Sequence, residues 1–427
     1  MLEVAQQRHS DRPARQHTLR AAIEWSYRLL SSQEQHLFRR LGIFKDGFHP
    51  AAVAAVFAAL ADEPAAVAEH IAALRDHSLL QSHADWLGEA RFSMLTVLRE
   101  YALEQLSLSG ERTALEAAYV GYYLGLAEQA QAHFRSPQEQ QWLDTLTHAH
   151  ENLRAILQWG LDSCRPEISL QLGGMLWRFW MFRGHVSEGR RWLAVALASA
   201  TAIDPAIRAS ALHAAGTLAS LQADYAQAIA AYGECIDLRR TLHDRAGLAL
   251  SLLNSGSIAR QQGDETKAEA ILAEAMALYV ELADRQGMAM ALTERGLLLQ
   301  RQQAYADSAL CFEQALEIQT SLGNQYSGAN LLALQGSLAQ DQGQAERAGQ
   351  LFSAALDRLR ALGDVQSIHR PLDGLAAIFL SAGQLTEARA CWLECLNHAL
   401  ALEQPPVVVK VLEGFAQLAG AAGQSQA

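Results

Sequence analysis

From residue 204 onward, apolar positions fall three and four apart, the spacing of amphipathic helices, and the whole pattern then repeats every forty residues. Segments beginning at Asp204, Asp244, Asp284, Asn324 and Asp364 align without a gap. Leu212, Leu252, Leu292, Leu332, Leu372 and Leu412 share one column, and Gly216, Gly256, Gly296 and Gly336 another. Ala228, Ala268, Ser308, Ala348 and Ala388 form a small-residue column, Tyr232, Leu272, Phe312, Phe352 and Trp392 a bulky one, and Leu242, Leu282, Leu322, Leu362 and Leu402 close each unit. Each unit reads as two helices, with Gly263, Gly343, Gly383 and Gly423 at the turn between them. Small columns allow close approach of the paired helices, and the bulky column fills the space between units. The pattern predicts an all-α solenoid.

Upstream the periodicity is different. Residues up to about Arg15 are polar, and Pro13 interrupts any helix there. Leu19, Ala22, Ile23, Tyr27 and Leu30 mark one helix. Ser31 or Ser32, with Glu34, caps a second that turns Leu37, Phe38, Leu41 and Phe44 inward and breaks at Gly47. A third helix is expected over 51–59, and a fourth from Pro64 to about Arg75. Short strands at 78–82 and 91–95 flank a turn at 84–88, and a helix follows over 96–106. This order describes a winged helix. Further helices at 115–126 and 141–161 bridge to the repeats, and 164–203 reads as a divergent first repeat whose Gly184 lies one position late. Pro405-Pro406 opens a last half-unit over 407–422, and 423–427 should fray. The expected organisation is therefore a winged helix over 1–112, bridging helices over 113–163, repeats over 164–403, and a capping helix with its tail over 404–427.

The spacing from Leu212 to Gly216, then to Ala228, Tyr232 and Cys235, resembles the tetratricopeptide repeat. The usual unit has about 34 residues, so the extra residues here are expected to lengthen the second helix. A wider resemblance is carried by the run from Gln16 to Tyr27, by Leu37-Phe38-Arg39-Arg40-Leu41, by Asp76-His77-Ser78-Leu79-Leu80 and by Arg99-Glu100-Tyr101-Ala102. Glu151-Asn152-Leu153-Arg154-Ala155, Trp177-Arg178-Phe179-Trp180 and Glu188-Gly189-Arg190 continue it. Together these stretches are similar to the region following the nucleotide-binding core in bacterial NB-ARC-type signal-transduction ATPases. That resemblance implies a sensor and protein-interaction arm of a transcription regulator, with the nucleotide-binding core supplied by a missing N-terminal region. An autonomous repeat scaffold without a switch is the alternative. Two departures stand out. No lysine follows a glycine, so the phosphate loop G-x-x-x-x-G-K-[ST] is absent. Relatives in the wider superfamily carry Met-His-Asp where this chain has Met94-Leu95-Thr96, so no nucleotide contact and no cofactor is expected here.

Net charge is −12 over 427 residues. The first 112 residues hold 12 basic and 14 acidic groups, so the acidity lies in the array, which suits nucleic acid phosphates poorly. Residues 1–45 carry eight basic and four acidic side chains, but a solvated winged-helix face is the better reading than a DNA contact. Cys235 and Cys395 share one repeat column, and Cys311 and Cys391 another; these thiols substitute for small core residues, not metal ligands. With no signal peptide and no membrane-length apolar run, a cytoplasmic protein is expected. No catalytic motif such as H-E-x-x-H or G-x-S-x-G occurs, so the chain is not expected to be an enzyme.

The first helix of each pair should line the inner curve. His213, Thr217, Arg260, Gln261, Thr293, Gln300, Arg301, Asn330, Gln340, Arg370 and Asp373 are the residues expected there. Arginine and amides suit an acidic peptide or partner helix, with a small-molecule inducer as the other class of ligand. Arg260 and Arg301, about one unit apart, are expected to face one partner together. Trp177 and Trp180 are candidates for an apolar pocket.

Overall fold

A computed structural model describes residues 14–424 except 61–64, 85–89, 135, 137, 200–202 and 366. The polar start before residue 14, most of the expected wing turn and the last three residues lie outside the described residues. The chain forms two compact units, residues 1–129 with 148–156 and residues 130–147 with 157–427. The helices read as bridges between domains are thus divided between the two units.

The first unit holds α1 (Ala14–Leu29), α2 (Ser32–Leu41), α3 (Pro50–Ala58), α4 (Ala65–Asp76), an antiparallel hairpin of β1 (Gln81–Ala84) and β2 (Ala90–Ser93), α5 (Thr96–Ser109), and most of α6 (Arg112–His133). Ser31 caps α2 in a full capping box with Glu34. The helix ends at Leu41, before Gly47, because Gly42 packs against Ala102 and closes it. Gly47 serves a different purpose. Its φ of 143° and the Phe92 carbonyl, 2.8 Å from where a Cβ would sit, allow Phe48 to exchange two backbone hydrogen bonds with Phe92.

Buried Asn152, within the motif quoted above, anchors this loop. It accepts from the Lys45 amide (2.8 Å) and the Tyr119 hydroxyl (2.9 Å), and donates to the Gly47 carbonyl (3.1 Å). Glu111 gathers Arg39, Arg40 and His36. Burial would raise its carboxyl, but the two guanidinium groups outweigh that and hold it down at about 2.

The second unit is the solenoid. It begins with residues 139–147 and 157–162 of α7 (Glu139–Asp162), then α8 (Pro166–Arg183) and α9 (Val186–Ser199). The regular pairs are α10 (Pro205–Leu221) with α11 (Tyr225–Thr241), α12 (Arg245–Gln262) with α13 (Glu265–Glu281), α14 (Arg285–Arg301) with α15 (Tyr305–Ser321), α16 (Gln325–Asp341) with α17 (Ala345–Ala361), and α18 (His369–Ser381) with α19 (Leu385–Ala401). A single helix, α20 (Pro405–Gln424), follows.

Left-handed residues punctuate this array every twenty positions: Ala223, His243, Gly263, Ala283, Gln303, Gly323, Gly343, Gly363, Gly383 and Glu403. Gly184 breaks that rhythm by one residue, as its column offset implied. The long unit is therefore shared almost evenly, with 17 residues in both α10 and α11, instead of lengthening only the second helix. The recurring Asp and Asn are N-caps: Asp204, Asp224, Asp244, Asp264, Asp284 and Asn324 each accept a backbone N–H of the following turn.

The glycine and bulky columns meet directly. A Cβ at Gly216, Gly256, Gly296 or Gly336 would lie within about 3.0 Å of Tyr232, Leu272, Phe312 or Phe352 respectively. The leucines closing each unit behave differently. At helix C-caps they sit at the rim of the turns, so Leu242, Leu282 and Leu322 stay exposed, and Leu402 alone among the buried residues belongs to this column.

Leu402 is covered because the array returns on itself. Gly184 in the first turn lies so close to the Ala401 carbonyl that a Cβ would sit 2.1 Å from that oxygen. The Ser187 amide donates to the Glu403 carboxylate at 2.7 Å, placing an anion at the start of α9.

Candidate functional site

Inside the second unit, a cleft of about 380 Å³ is walled by the start of α7, the end of α8, α14, α16, and by Gly363, Asp364, Val365 and Ser367. Along one wall Arg178 donates to Glu139 at 2.7 Å and lies over the rings of Phe134, Trp177 and Phe182. Arg183 pairs with Asp144. Both wall arginines are thereby neutralised. Opposite them, Tyr326 donates to the Leu362 carbonyl at 3.1 Å. Its phenol is pushed up by burial first, then by Asp364 and Glu139. Asn324, Ser327, Asn330 and Ser367 complete a lining rich in amides and hydroxyls, with Met290 and Leu143 as apolar contacts.

Beyond the cleft, α12, α14 and α18 bring charge together. Arg260 bonds Glu294 at 3.1 Å. Burial first, then the charge of Arg260, hold the Arg370 guanidinium below the usual arginine range, while Glu294 and Asp373 oppose them. Gln300 donates to Asp341 at 2.7 Å. Asp373 accepts from the Trp392 indole at 3.0 Å and pairs with Lys410 at 2.7 Å, so its role is structural.

The residues expected on the inner curve thus separate. Asn330 lines the cleft, while Arg260 bonds Glu294 outside it. Arg301 does not join them. It reaches back to Glu265 at 3.9 Å, beside the turn at Gly263 that follows the helix of Arg260. Gln261 bonds Ser257 and Tyr225, Thr293 bonds back to the Ala289 carbonyl, and Gln340 is half-buried.

His213 is 4% exposed, not a surface donor. It sits edge-to-face with Trp177 and Tyr232 and contacts the Ser251 hydroxyl at 3.2 Å. Ser251 also contacts Cys235, giving a Cys-Ser-His chain. Burial pushes that thiol up, so the cysteine stays protonated and the chain is a packing network. Thr217 accepts from Tyr232 and donates to the His213 carbonyl.

Trp180 is 0% exposed and packs on Gly189 and Gly173, so it cannot line an open pocket. Phe182, two residues on, is the ring that does. Sequence reading also missed Glu139, Tyr326 and Asp364. Arg178 was within a quoted motif, but its pairing with Glu139 joins positions 39 apart on helices outside the regular repeat.

The winged helix-turn-helix domain family matches residues 30–107, and the tetratricopeptide repeat family matches residues 247–321. The protein therefore combines a winged-helix domain with a tetratricopeptide-type solenoid. It is 37% identical over 205 residues to a Mycobacterium tuberculosis protein provisionally named as an HTH-type transcriptional regulator, a match covering 46% of this chain and 23% of that protein. The match spans under a quarter of the length of these curated relatives. Among solved structures, it resembles a Rap protein complexed with competence and sporulation factor, with a TM-score of 0.52 and 14% identity over 68% of this chain and 80% of that one. It also resembles a Pyrococcus horikoshii signal-transduction ATPase with a tetratricopeptide repeat sensor, with a TM-score of 0.48 and 12% identity over 93% of this chain and 61% of that one. No helix among the described residues is long and apolar enough to cross a membrane.

Proposed function

We propose that this chain is the sensor and protein-interaction arm of a signal-responsive transcription regulator, and that its repeat cleft takes a peptide. The observation carrying this reading is the cleft itself: amides and hydroxyls of Asn324, Ser327, Asn330 and Ser367 face Phe182 and Met290, a lining that suits a peptide backbone and its apolar side chains. The sequence resemblance to signal-transduction ATPases and the regulator-like relatives support the wider role. The test is selection of random peptides on the intact protein and on Asn330→Trp, which fills the cleft. Peptides selected on the wild type should bind the variant about ten-fold or more weakly, since they would lose buried contacts worth over 1.4 kcal/mol. Equal binding, with matched melting curves, would reject the cleft.

The winged helix reads best as a protein-facing module. Four of its arginines are engaged: Arg20 with Glu104, Arg28 with Glu24, and Arg39 and Arg40 with Glu111. Trp25, 66% exposed, together with Leu19, Leu29 and Val97, offers an apolar surface instead. Leu95 stands at the start of α5 without a side-chain cap, 47% exposed, and presents no donor to a phosphate. This chain alone should therefore show no ATP or ADP binding by calorimetry. A dissociation constant in the micromolar range would refute that reading.

A further inference from the structure

The last regular pair departs from the repeat at one point. In α12, α14 and α16 the helix begins one residue after its cap, and the first helical bonds run from the Leu248 amide to the Asp244 carbonyl, from Met288 to Asp284 and from Gly328 to Asn324, at 2.9, 2.9 and 3.1 Å. Asp364 holds the corresponding position and makes the corresponding cap. Its carboxylate accepts from the Ser367 amide at 3.0 Å, as Asp244 accepts from Gly247 and Asp284 from Gly287. Yet α18 begins only at His369, and its first bond runs from the Leu372 amide to the Ile368 carbonyl at 3.1 Å. The helix starts late by four residues, about one turn.

Pro371 explains the delay. In a helix begun at Val365, residue 371 would have to donate to the Ser367 carbonyl, but proline has no N–H and its ring would strike that oxygen. In the helix that does form, Pro371 is the third residue, where an amide has no partner within the helix in any case. The same column holds Ser251, Ala291 and Leu331, none of which hinders a helix start.

The withheld turn is pinned at both ends. Upstream, the Leu362 carbonyl accepts from the Tyr326 hydroxyl at 3.1 Å; downstream, Ile368 is 3% exposed in the core of the last pairs. Between these anchors Val365 and Ser367 stand outside any helix and line the cleft, with Val365 41% exposed. The Ser367 carbonyl has in Pro371 a helix partner with no N–H to give.

We propose that Pro371 is a positioning residue for the cleft: by withholding the first turn of α18 it leaves the main chain at Val365 and Ser367 to pair with the backbone of a peptide ligand, an inference that rests on the peptide reading above. Main-chain pairing supplies affinity for a peptide of almost any sequence, and selectivity is left to the side chains that meet Phe182 and Met290.

The experiment uses the full chain, with peptides selected on the wild type as the probe. In Pro371→Ala the turn should close, and amide exchange at residues 368–370 should slow about ten-fold or more. Peptide binding should weaken about ten-fold or more as the main-chain partners are drawn into the helix. Adding Arg370→Pro to Pro371→Ala moves the proline by one position and blocks the same turn, so exchange and binding should both return to near the wild-type values. A core damaged by loss of the proline ring would not be repaired in this way. Backbone N-methylation of the peptides, one position at a time, should weaken wild-type binding about ten-fold at one position or more and Pro371→Ala binding much less.

Slowed exchange with undiminished binding would overturn the inference, and it leaves the peptide reading standing if Asn330→Trp weakens the same peptides. Exchange that stays fast in Pro371→Ala, binding that the moved proline does not restore, or methylation losses equal on both proteins would overturn it too. So would failure of both Pro371→Ala and Pro371→Leu to fold, because Ala291 and Leu331 occupy this column in helices that start on time. Peptides indifferent to Asn330→Trp and to Pro371→Ala alike reject the cleft and this inference together.

Discussion

Replacing Trp392 by alanine should destabilise the end of the array by about 3–5 kcal/mol, the usual cost of emptying a core site of this size. The indole is 2% exposed. Its ring lies against Gly414, where a Cβ would come within 2.4 Å, and against Phe415 in α20. Both the cavity and the lost bond to Asp373 therefore count, although Lys410 still neutralises that carboxylate. In an open stack such damage would stay local. Here the last turn touches the first, through Gly184 with Ala401 and Ser187 with Glu403. Hydrogen exchange should accelerate across α19 and α20 and also at the start of α9. Unchanged exchange beyond Asp364 would contradict the packing assignment, and unchanged exchange at Ser187 would show that closure adds no stability.

This return contact marks the boundary of what the sequence makes legible. A forty-residue period places every column in the same local environment, so contacts within and between adjacent pairs can be read from any one of them. Tyr232 on Gly216 and Phe352 on Gly336 are the same contact seen twice. Closure depends instead on rotation accumulated over several repeats, and no pair of columns encodes it.

His213 illustrates a second limit. Its position in the first helix points inward, but Trp177 from the divergent repeat and Ser251 from the next unit cover it. The cleft owes one wall to α7 and α8, which precede the regular repeats and so have no column to be compared with. The winged helix was legible to within a few residues, because its caps and strands are local decisions. The capping box at Ser31 is one example. The role of Asn152 was not, since two of its three partners lie more than a hundred residues upstream.

That asparagine supports the other large effect. Asn152 is 1% exposed, and its amide satisfies three groups at once. Asn152→Ala would leave the Lys45 N–H and the Gly47 carbonyl without their partner and take the acceptor from Tyr119. Each buried polar group left unsatisfied costs about 1–3 kcal/mol. Water entering the new space would recover part of this, so the expected loss for the first unit is about 3–5 kcal/mol. The damage should spread along the loop, because Gly47 positions Phe48 for its paired bonds with Phe92. Asn152→Asp gives a sharper test of mechanism. A carboxylate can still accept from Lys45 and Tyr119, but it cannot donate to the Gly47 carbonyl and instead opposes it. It should therefore retain two bonds of three and be most stable at low pH, where protonation restores a donor. Denaturant melts of both variants, with hydrogen exchange read at residues 45–48, supply the measurement. A loss below about 1 kcal/mol for Asn152→Ala, within the range of an ordinary surface change, would mean that the loop holds its shape without this side chain.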